Sequence, residues 1–139
     1  MTAIEFNNDH PQWEGFLWDD YKDWIEAVVH SFGKRVGHLC YVFCTDEYLY
    51  EMNVKHLDHD TFTDIITFDY CEADWVHGDL FISVDRVRDN AKELNVSFDV
   101  EMARVMIHGV LHLCGLGDKT EEEALEMRRQ EDQALLILK

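Results

Sequence analysis

The chain has 139 residues, 47% of them hydrophobic and 12% aromatic, which is enough for one buried core and too short for a second. Its 29 acidic and 12 basic residues give a formal charge of −17, which excludes broad electrostatic attraction to nucleic acid or anionic membranes. The sequence has neither the pattern of a signal peptide nor a run of roughly 20 apolar residues, so we expect one domain, residues 1–139, in the cytoplasm with no membrane partner.

The first half of the chain contains two predicted strands, each followed by a predicted helix. Residues 4–6 indicate a short strand, and the apolar residues of 11–32 recur at steps of three and four, which predicts a helix packed on a core. A proline suits the first turn of this helix, and Gly33 ends it. Residues 39–44 predict a strand buried on both faces, and helical spacing returns over residues 47–57.

The second half contains two strands and then two helices. Residues 64–69 and 79–84 have the composition of strands, and a serine-capped helix is predicted over 98–114. Two glycines break the chain after it, and a capping box opens a last helix over 120–138. The order predicts a single α+β domain, in which a mixed sheet of about four strands is packed with about five helices.

The sequence contains four cysteines, and no two of them form a CxxC motif. They are Cys40, Cys44, Cys71 and Cys114. Cys40 and Cys44 share a face of an apolar run, where small buried thiols fit well. In a cytoplasmic protein this spacing favours reduced core cysteines over disulfides or zinc ligands.

The segment from His108 to Asp118, HGVLHLCGLGD, contains the residues that predict a metal site. Two histidines four residues apart on a helix, His108 and His112, lie on one face and can bind one ion. Gly115 can stop the helix in a left-handed conformation, which would bring Asp118 to the same point as a third ligand. Three protein ligands leave one position for water, and nitrogen ligands favour one zinc ion per chain. The alternative is an ordinary histidine pair on a half-buried helix.

Gly109 separates this segment from the HExxH zinc proteases. Those enzymes carry their general base immediately after the first histidine, and that position is glycine here. Because glycine has no side chain that takes a proton, a protease of this sequence would need its base from elsewhere in the fold.

Three blocks of the sequence resemble the YbeY family of metal-dependent endoribonucleases. Residues 108–115 match the first eight positions of the family signature H-G-x-L-H-L-x-G-Y-D-H, and Asp118 stands at its final histidine. Residues 52–68 are similar to the block L-N-x-x-Y-R-x-K-D-x-P-T-D-V-L-S-F, and residues 78–83 are similar to G-D-I-x-I-S. The resemblance covers about residues 48–118.

The resemblance implies a single-strand-specific endoribonuclease, a hydrolase that acts in 16S 3′-end maturation of ribosomal RNA and in ribosome quality control. The implied partners are the small ribosomal subunit and ribosome-associated proteins. Leu57 takes the position of a family arginine that contacts RNA, and His59 stands at the lysine position. We predict His59, Asp64 and Ser83 as substrate-binding residues, although Asp64 can equally cap or anchor its strand. The catalytic residue stays unknown.

Two other functions remain open at this point. The protein can be a metal-dependent hydrolase of another class, such as a peptidase, or a non-catalytic ribosome-associated factor with a structural zinc. Because the chain is strongly acidic, RNA binding requires a local basic patch. The candidates for that patch form two clusters, Lys34 with Arg35, and Arg86 with Arg88 and Lys92.

Overall fold

Four strands and five helices are formed by the part of the chain that the computed structural model describes, which is residues 3–16, 18–57 and 62–138. In chain order they are β1 (Ala3–Asn8), α1 (Trp18–Ser31), β2 (Arg35–Cys44), α2 (Asp46–Leu57), β3 (Ile65–Asp69), β4 (Trp75–Ser83), α3 (Val84–Leu94), α4 (Phe98–Leu113) and α5 (Glu121–Ile137). The predicted α+β class is confirmed. None of the described helices is both long and apolar enough to cross a membrane.

The strands form one mixed sheet in the order β1-β2-β4-β3. β2 pairs in parallel with β1 and β4, and β3 pairs antiparallel with β4. The central strand β2 is rich in β-branched and aromatic residues, as expected for a strand covered on both faces. β3 is therefore an edge strand, and its outer side is open to other parts of the molecule or to a ligand.

Helix α4 packs across the sheet and is the most buried of the described helices. Its buried residues include Met102, Met106 and Leu111, each with no exposed surface. The hydroxyl of Tyr41 on β2 donates to the carbonyl of Met106 at 3.0 Å, which fixes the helix against the central strand. Ser97 caps the start of α4, since its side chain accepts from the backbone N–H of Val100.

The first helix begins later than the sequence predicts. Residues 11–16 form an aromatic loop in place of the first predicted helical turns, and α1 begins at Trp18. Gly15 has φ +82°, which is outside the helical region, and the amide of Asn8 donates to the carbonyl of Trp13. The rings of Trp13 and Phe16 pack edge to face at 5.3 Å, so packing of these aromatics overrides their helical spacing.

Helix α3 is not among the segments predicted from apolar spacing. It begins after Ser83, whose hydroxyl accepts from the backbone N–H of Arg86 at 3.0 Å, and it ends at Asn95 in the left-handed conformation. Its buried residues are Val84, Val87 and Ala91. Because only these three residues are buried, the segment is mostly polar and has few apolar residues to mark it, and the caps define its ends.

All four cysteines are free. Cys44 and Cys114 are buried, and Cys40 and Cys71 are half-buried. Burial raises the pKa of Cys44 to about 12 and that of Cys114 to about 11, so both thiols are protonated at neutral pH. A protonated, buried thiol is a poor metal ligand, so Cys44 and Cys114 contribute to the core.

Candidate metal centre

The structure brings the three predicted ligands to one point. His108 and His112 lie one turn apart on α4, with their Nε2 atoms 3.0 Å from each other. Gly115 has φ +106°, which turns the chain back after the helix. The Oδ2 atom of Asp118 then lies 3.5 Å from Nε2 of His108 and 3.3 Å from Nε2 of His112. The three atoms form a nearly equilateral triangle.

The size of this triangle fits a tetrahedral zinc ion. Ligand atoms about 2.0 to 2.1 Å from a tetrahedral zinc lie about 3.3 to 3.4 Å from one another. The observed separations of 3.0, 3.3 and 3.5 Å span that value. Two imidazoles and one carboxylate are also the donor types that catalytic zinc sites use. Three ligands occupy one face of the tetrahedron and leave the fourth position for water or substrate.

Hydrogen bonds fix the tautomer of both histidines. Nδ1 of His112 lies 2.9 Å from the carbonyl oxygen of Leu116, which only accepts, so this nitrogen carries the proton. Nδ1 of His108 donates to Oε2 of Glu131 at 2.7 Å. With Nδ1 carrying a proton in both rings, the Nε2 atoms are the ones that face each other and the Asp118 carboxylate, where each can offer a lone pair. Three acceptors this close repel one another unless a proton or a metal ion lies between them.

Glu131 on α5 is a site residue that the sequence reading missed. It is only 6% exposed, and besides His108 it binds Nη1 of Arg104 at 2.9 Å. Burial alone would raise the pKa of Glu131, but hydrogen bonds from His108 and Arg104 outweigh burial and hold it below its ordinary value. Burial likewise opposes ionisation of His108, but bonding to Glu131 raises the pKa of His108 overall. Glu131 is thus an ionised carboxylate that orients a metal ligand.

The three ligands line a cleft of about 670 Å3, a volume in the range of ligand-binding pockets. Edge strand β3 and the residues just before it, 62–67 and 69, form one wall. The metal ligands form the opposite wall, and the buried side chain of Asn53 on α2 contributes to one side. The Asp118 side chain is 42% exposed, so the open coordination position is accessible from this cleft.

Gly109 lies against the sheet and does not face the metal ligands. A Cβ atom at this position would lie 2.5 Å from Cδ2 of Leu80 and 2.8 Å from Cδ1 of Ile65, closer than real contacts allow. Helix α4 therefore approaches β3 and β4 as closely as it does because residue 109 is glycine. In this fold, a glutamate after the first histidine would point into the core.

The substitution Gly109→Glu, which would create an HExxH sequence, is expected to destabilise the fold. Overpacking costs about 1–3 kcal/mol, and an unpaired buried carboxylate adds to that cost. Urea unfolding should therefore show a midpoint far below that of wild type. The matched control is Val100→Glu on the same helix, where the side chain is 45% exposed and the expected change is within about 0.5 kcal/mol. Equal stabilities for the two variants would contradict the packing described for Gly109.

The predicted substrate-binding residues have different positions. Asp64 is in the cleft wall, and burial raises the pKa of its carboxyl. Ser83 is fully buried, where its hydroxyl donates to Asp46 at 2.9 Å and caps α3, so it supports the fold and is not part of the cleft. His59 and the side chain of Leu57 lie outside the described residues.

One of the predicted basic residues, Arg86, reaches the cleft. Its guanidinium carbon lies 5.1 Å from the ring centre of Phe62, which lines the cleft. Arg35 packs on Trp75 instead. A second cleft of about 420 Å3 adjoins the first at His108 and includes two arginines that the sequence reading missed, Arg104 and Arg128. The basic groups near the metal ligands thus come mainly from α3, α4 and α5.

Comparisons relate the chain to known proteins over most of its length. A family model described as Endoribonuclease YbeY matches residues 6–139. An Endoribonuclease YbeY from Porphyromonas gingivalis is 53% identical over 115 residues, covering 83% of this chain and 76% of that protein. Another from Bacteroides thetaiotaomicron is 48% identical over 131 residues, 91% of this chain and 96% of that protein. A Thermotoga maritima protein of known solution structure aligns with a TM-score of 0.69 and 26% identity over 96% of this chain and 87% of that one.

Proposed function

The chain belongs to the YbeY family of endoribonucleases, and we propose that it is a metal-dependent hydrolase that cleaves phosphodiester bonds within single-stranded RNA. The observation that carries this proposal is the triangle of lone pairs formed by His108, His112 and Asp118 at the floor of an open cleft. Such a group of acceptors is stable when a cation binds it, and one coordination position stays open toward a substrate.

The proposed ion is zinc, one per chain, held by Nε2 of both histidines and by the Asp118 carboxylate. The chemistry that zinc supplies in such a site is polarisation of a phosphate oxygen and a lower pKa for a coordinated water. Glu131 keeps the His108 ring in the orientation and tautomer that binding needs. Asp64 lies in the cleft wall beside the metal ligands, so we assign it to substrate binding.

The finer parts of the proposal follow from the family. We propose ribosomal RNA as the substrate, with maturation of the 16S 3′ end and ribosome quality control as the processes. The proposed partners are the small ribosomal subunit and its associated proteins, and the proposed compartment is the cytoplasm. A net charge of −17 repels a polyanion such as RNA. Contacts with ribosome-associated proteins are therefore favoured over a general electrostatic attraction to RNA.

A peptidase is a weaker candidate for the same metal centre. The HxxxHxxGxxD spacing is shared with zinc proteases, but Gly109 is pressed against Leu80 and Ile65, where no general base fits. The other carboxylates of the described cleft lining, Asp64 and Asp69, belong to the strand wall and not to the helix that carries the histidines. A factor with a purely structural zinc is also weaker, because the centre opens to a cleft instead of being enclosed.

The proposal is tested by offering zinc-loaded protein a panel of end-labelled single-stranded RNA, the same RNA as a duplex, the matching DNA and a peptide mixture. We expect internal cuts in the single-stranded RNA, no peptide cleavage, and no cuts by His112→Ala. The control variant is His38→Ala, which removes a histidine of β2 that is 54% exposed and is not among the described residues of the cleft, and it should cut RNA like wild type. Cleavage of peptides alone would replace the ribonuclease proposal with the peptidase.

A further inference from the structure

We propose that Phe62 is a stacking platform, on which a nucleobase of the single-stranded RNA rests while the adjoining backbone lies at the metal ligands. This inference rests on the proposed function and names how the substrate is positioned. It concerns a side chain outside the metal centre, three residues before β3, in the cleft wall that faces the metal ligands.

Phe62 is exposed to an unusual degree for a phenylalanine that lines a cleft. About half of its surface, 51%, is accessible, and the residue is part of the same cleft wall as Asp64. Its ring stacks on Tyr50 with 4.4 Å between centroids and 26° between planes. The guanidinium carbon of Arg86 lies 5.1 Å from the Phe62 ring centre. The ring is therefore held in place and is not a loose surface side chain.

Tyr50 and Arg86 hold the Phe62 ring, and both are connected to helix α2. Tyr50 and Asp46 are four residues apart on α2, so their side chains lie on the same face of that helix. Arg86 is bound to that face, because its Nη2 donates to Oδ2 of Asp46 at 2.7 Å. Both supports are thus tied to α2, and the 51% of Phe62 that stays accessible beside them is available to a ligand.

The charge of the cleft favours a nucleobase over a phosphate as the group that this wall recognises. None of the described residues that line the cleft is lysine or arginine, and three are aspartates, Asp64, Asp69 and Asp118. A phosphate is repelled by these carboxylates except at a bound metal ion. A nucleobase is uncharged and presents a π-face, which stacks on an aromatic ring whatever the base. Arg86 beneath the ring adds a nearby positive charge.

Phe62 also replaces a residue that cannot stack in this way. In the family block that residues 52–68 resemble, the position before the Thr-Asp pair is proline, and in this chain it is phenylalanine. The platform is therefore a feature by which this chain binds its substrate differently from relatives that carry the proline.

The test compares steady-state cleavage of single-stranded RNA by wild type, Phe62→Ala, Phe62→Trp and Tyr48→Ala. Tyr48 is a matched control, since it is an aromatic residue of α2, 49% exposed, and is not part of the described cleft wall. We expect Phe62→Ala to raise KM by between about 5-fold and 150-fold, the range for loss of one base stack, with little change in kcat. Phe62→Trp and Tyr48→Ala should both have a KM close to that of wild type.

A substrate series with one abasic nucleotide at each position identifies the stacked base. At one position the abasic substitution should raise KM for wild type and have no further effect on Phe62→Ala. The KM ratio of the two proteins should also be the same at low and high salt, because stacking is not screened as a phosphate contact is. An unchanged KM for Phe62→Ala in a protein that cuts RNA would overturn the platform and leave the proposed function intact. If wild type cuts no RNA, the proposed function fails first.

Discussion

Removal of the metal ion with a chelator is expected to stop RNA cleavage completely while the protein stays folded. The three ligands lie at the end of α4 and in the turn that follows it, outside the apolar core. The core joins the sheet to α1 and α4 through residues with no exposed surface, such as Ile25, Leu39 and Ile107. Loss of the ion therefore removes the reaction chemistry without removing the interactions that maintain the fold.

Chelation is expected to lower the free energy of unfolding by the amount that metal binding contributes to it. At a metal concentration 100 times the dissociation constant this is about 2.7 kcal/mol, which lowers Tm by roughly 5–10 °C for a domain of this size. Circular dichroism of the chelated protein should retain its helical signal, and zinc added back should restore cleavage. Cooperative unfolding on chelation would show instead that the ion is structural. Cleavage that continues without metal would remove the ion from the reaction.

The substitution Glu131→Gln is expected to weaken metal binding by about 10-fold to 100-fold, the usual effect of losing a charged partner behind a metal ligand. The amide retains the size of the side chain and can still accept from Nδ1 of His108, but it no longer stabilises a positive metal and imidazole pair. Glu131→Ala should in addition lower the free energy of unfolding by about 1–3 kcal/mol, because Nδ1–H of His108 loses its acceptor and the mostly buried guanidinium of Arg104 keeps only its exposed partner Asp132.

The matched control for Glu131 is its neighbour Asp132. Asp132 also binds Arg104, at 2.8 Å, but its side chain is 57% exposed and it is not hydrogen-bonded to a metal ligand. Asp132→Asn should therefore bind zinc nearly as tightly as wild type and lose at most about 1 kcal/mol of stability. Isothermal titration calorimetry measures the zinc affinity of wild type, Glu131→Gln and Asp132→Asn. Equal zinc affinity for Glu131→Gln and wild type would mean that Glu131 serves only to neutralise Arg104.

The metal ligands could be predicted from the sequence because they are local. His108 and His112 are one helical turn apart, and Gly115 fixes the turn that returns Asp118, so the whole group lies within a short segment. Helix spacing and the conformational freedom of one glycine are sufficient to place these side chains together. The strands and the helices α4 and α5 were predicted for the same reason, since their apolar patterns and N-caps lie within their own residues.

The rest of the site depends on contacts between distant parts of the chain. Glu131 is 23 residues from His108, on a helix with many other acidic residues, and nothing in its neighbours distinguishes it. Phe62 is assigned to the cleft only once β3 is known to be the edge strand beside α4. Ser83 shows the opposite case, in which the family block suggested a cleft residue and the structure has a buried helix cap.

The most direct test of the central claim is the metal content per chain of untagged protein, measured by elemental mass spectrometry for wild type and Asp118→Ala. The account predicts about one zinc per wild-type chain and a large loss of zinc in the variant, because two imidazoles alone bind zinc weakly. His38→Ala, which removes an exposed histidine of β2 that pairs with Glu5 on β1, should retain the full amount. Wild-type protein that contains no metal after purification and dialysis against zinc would contradict the metal centre and the reaction proposed for it.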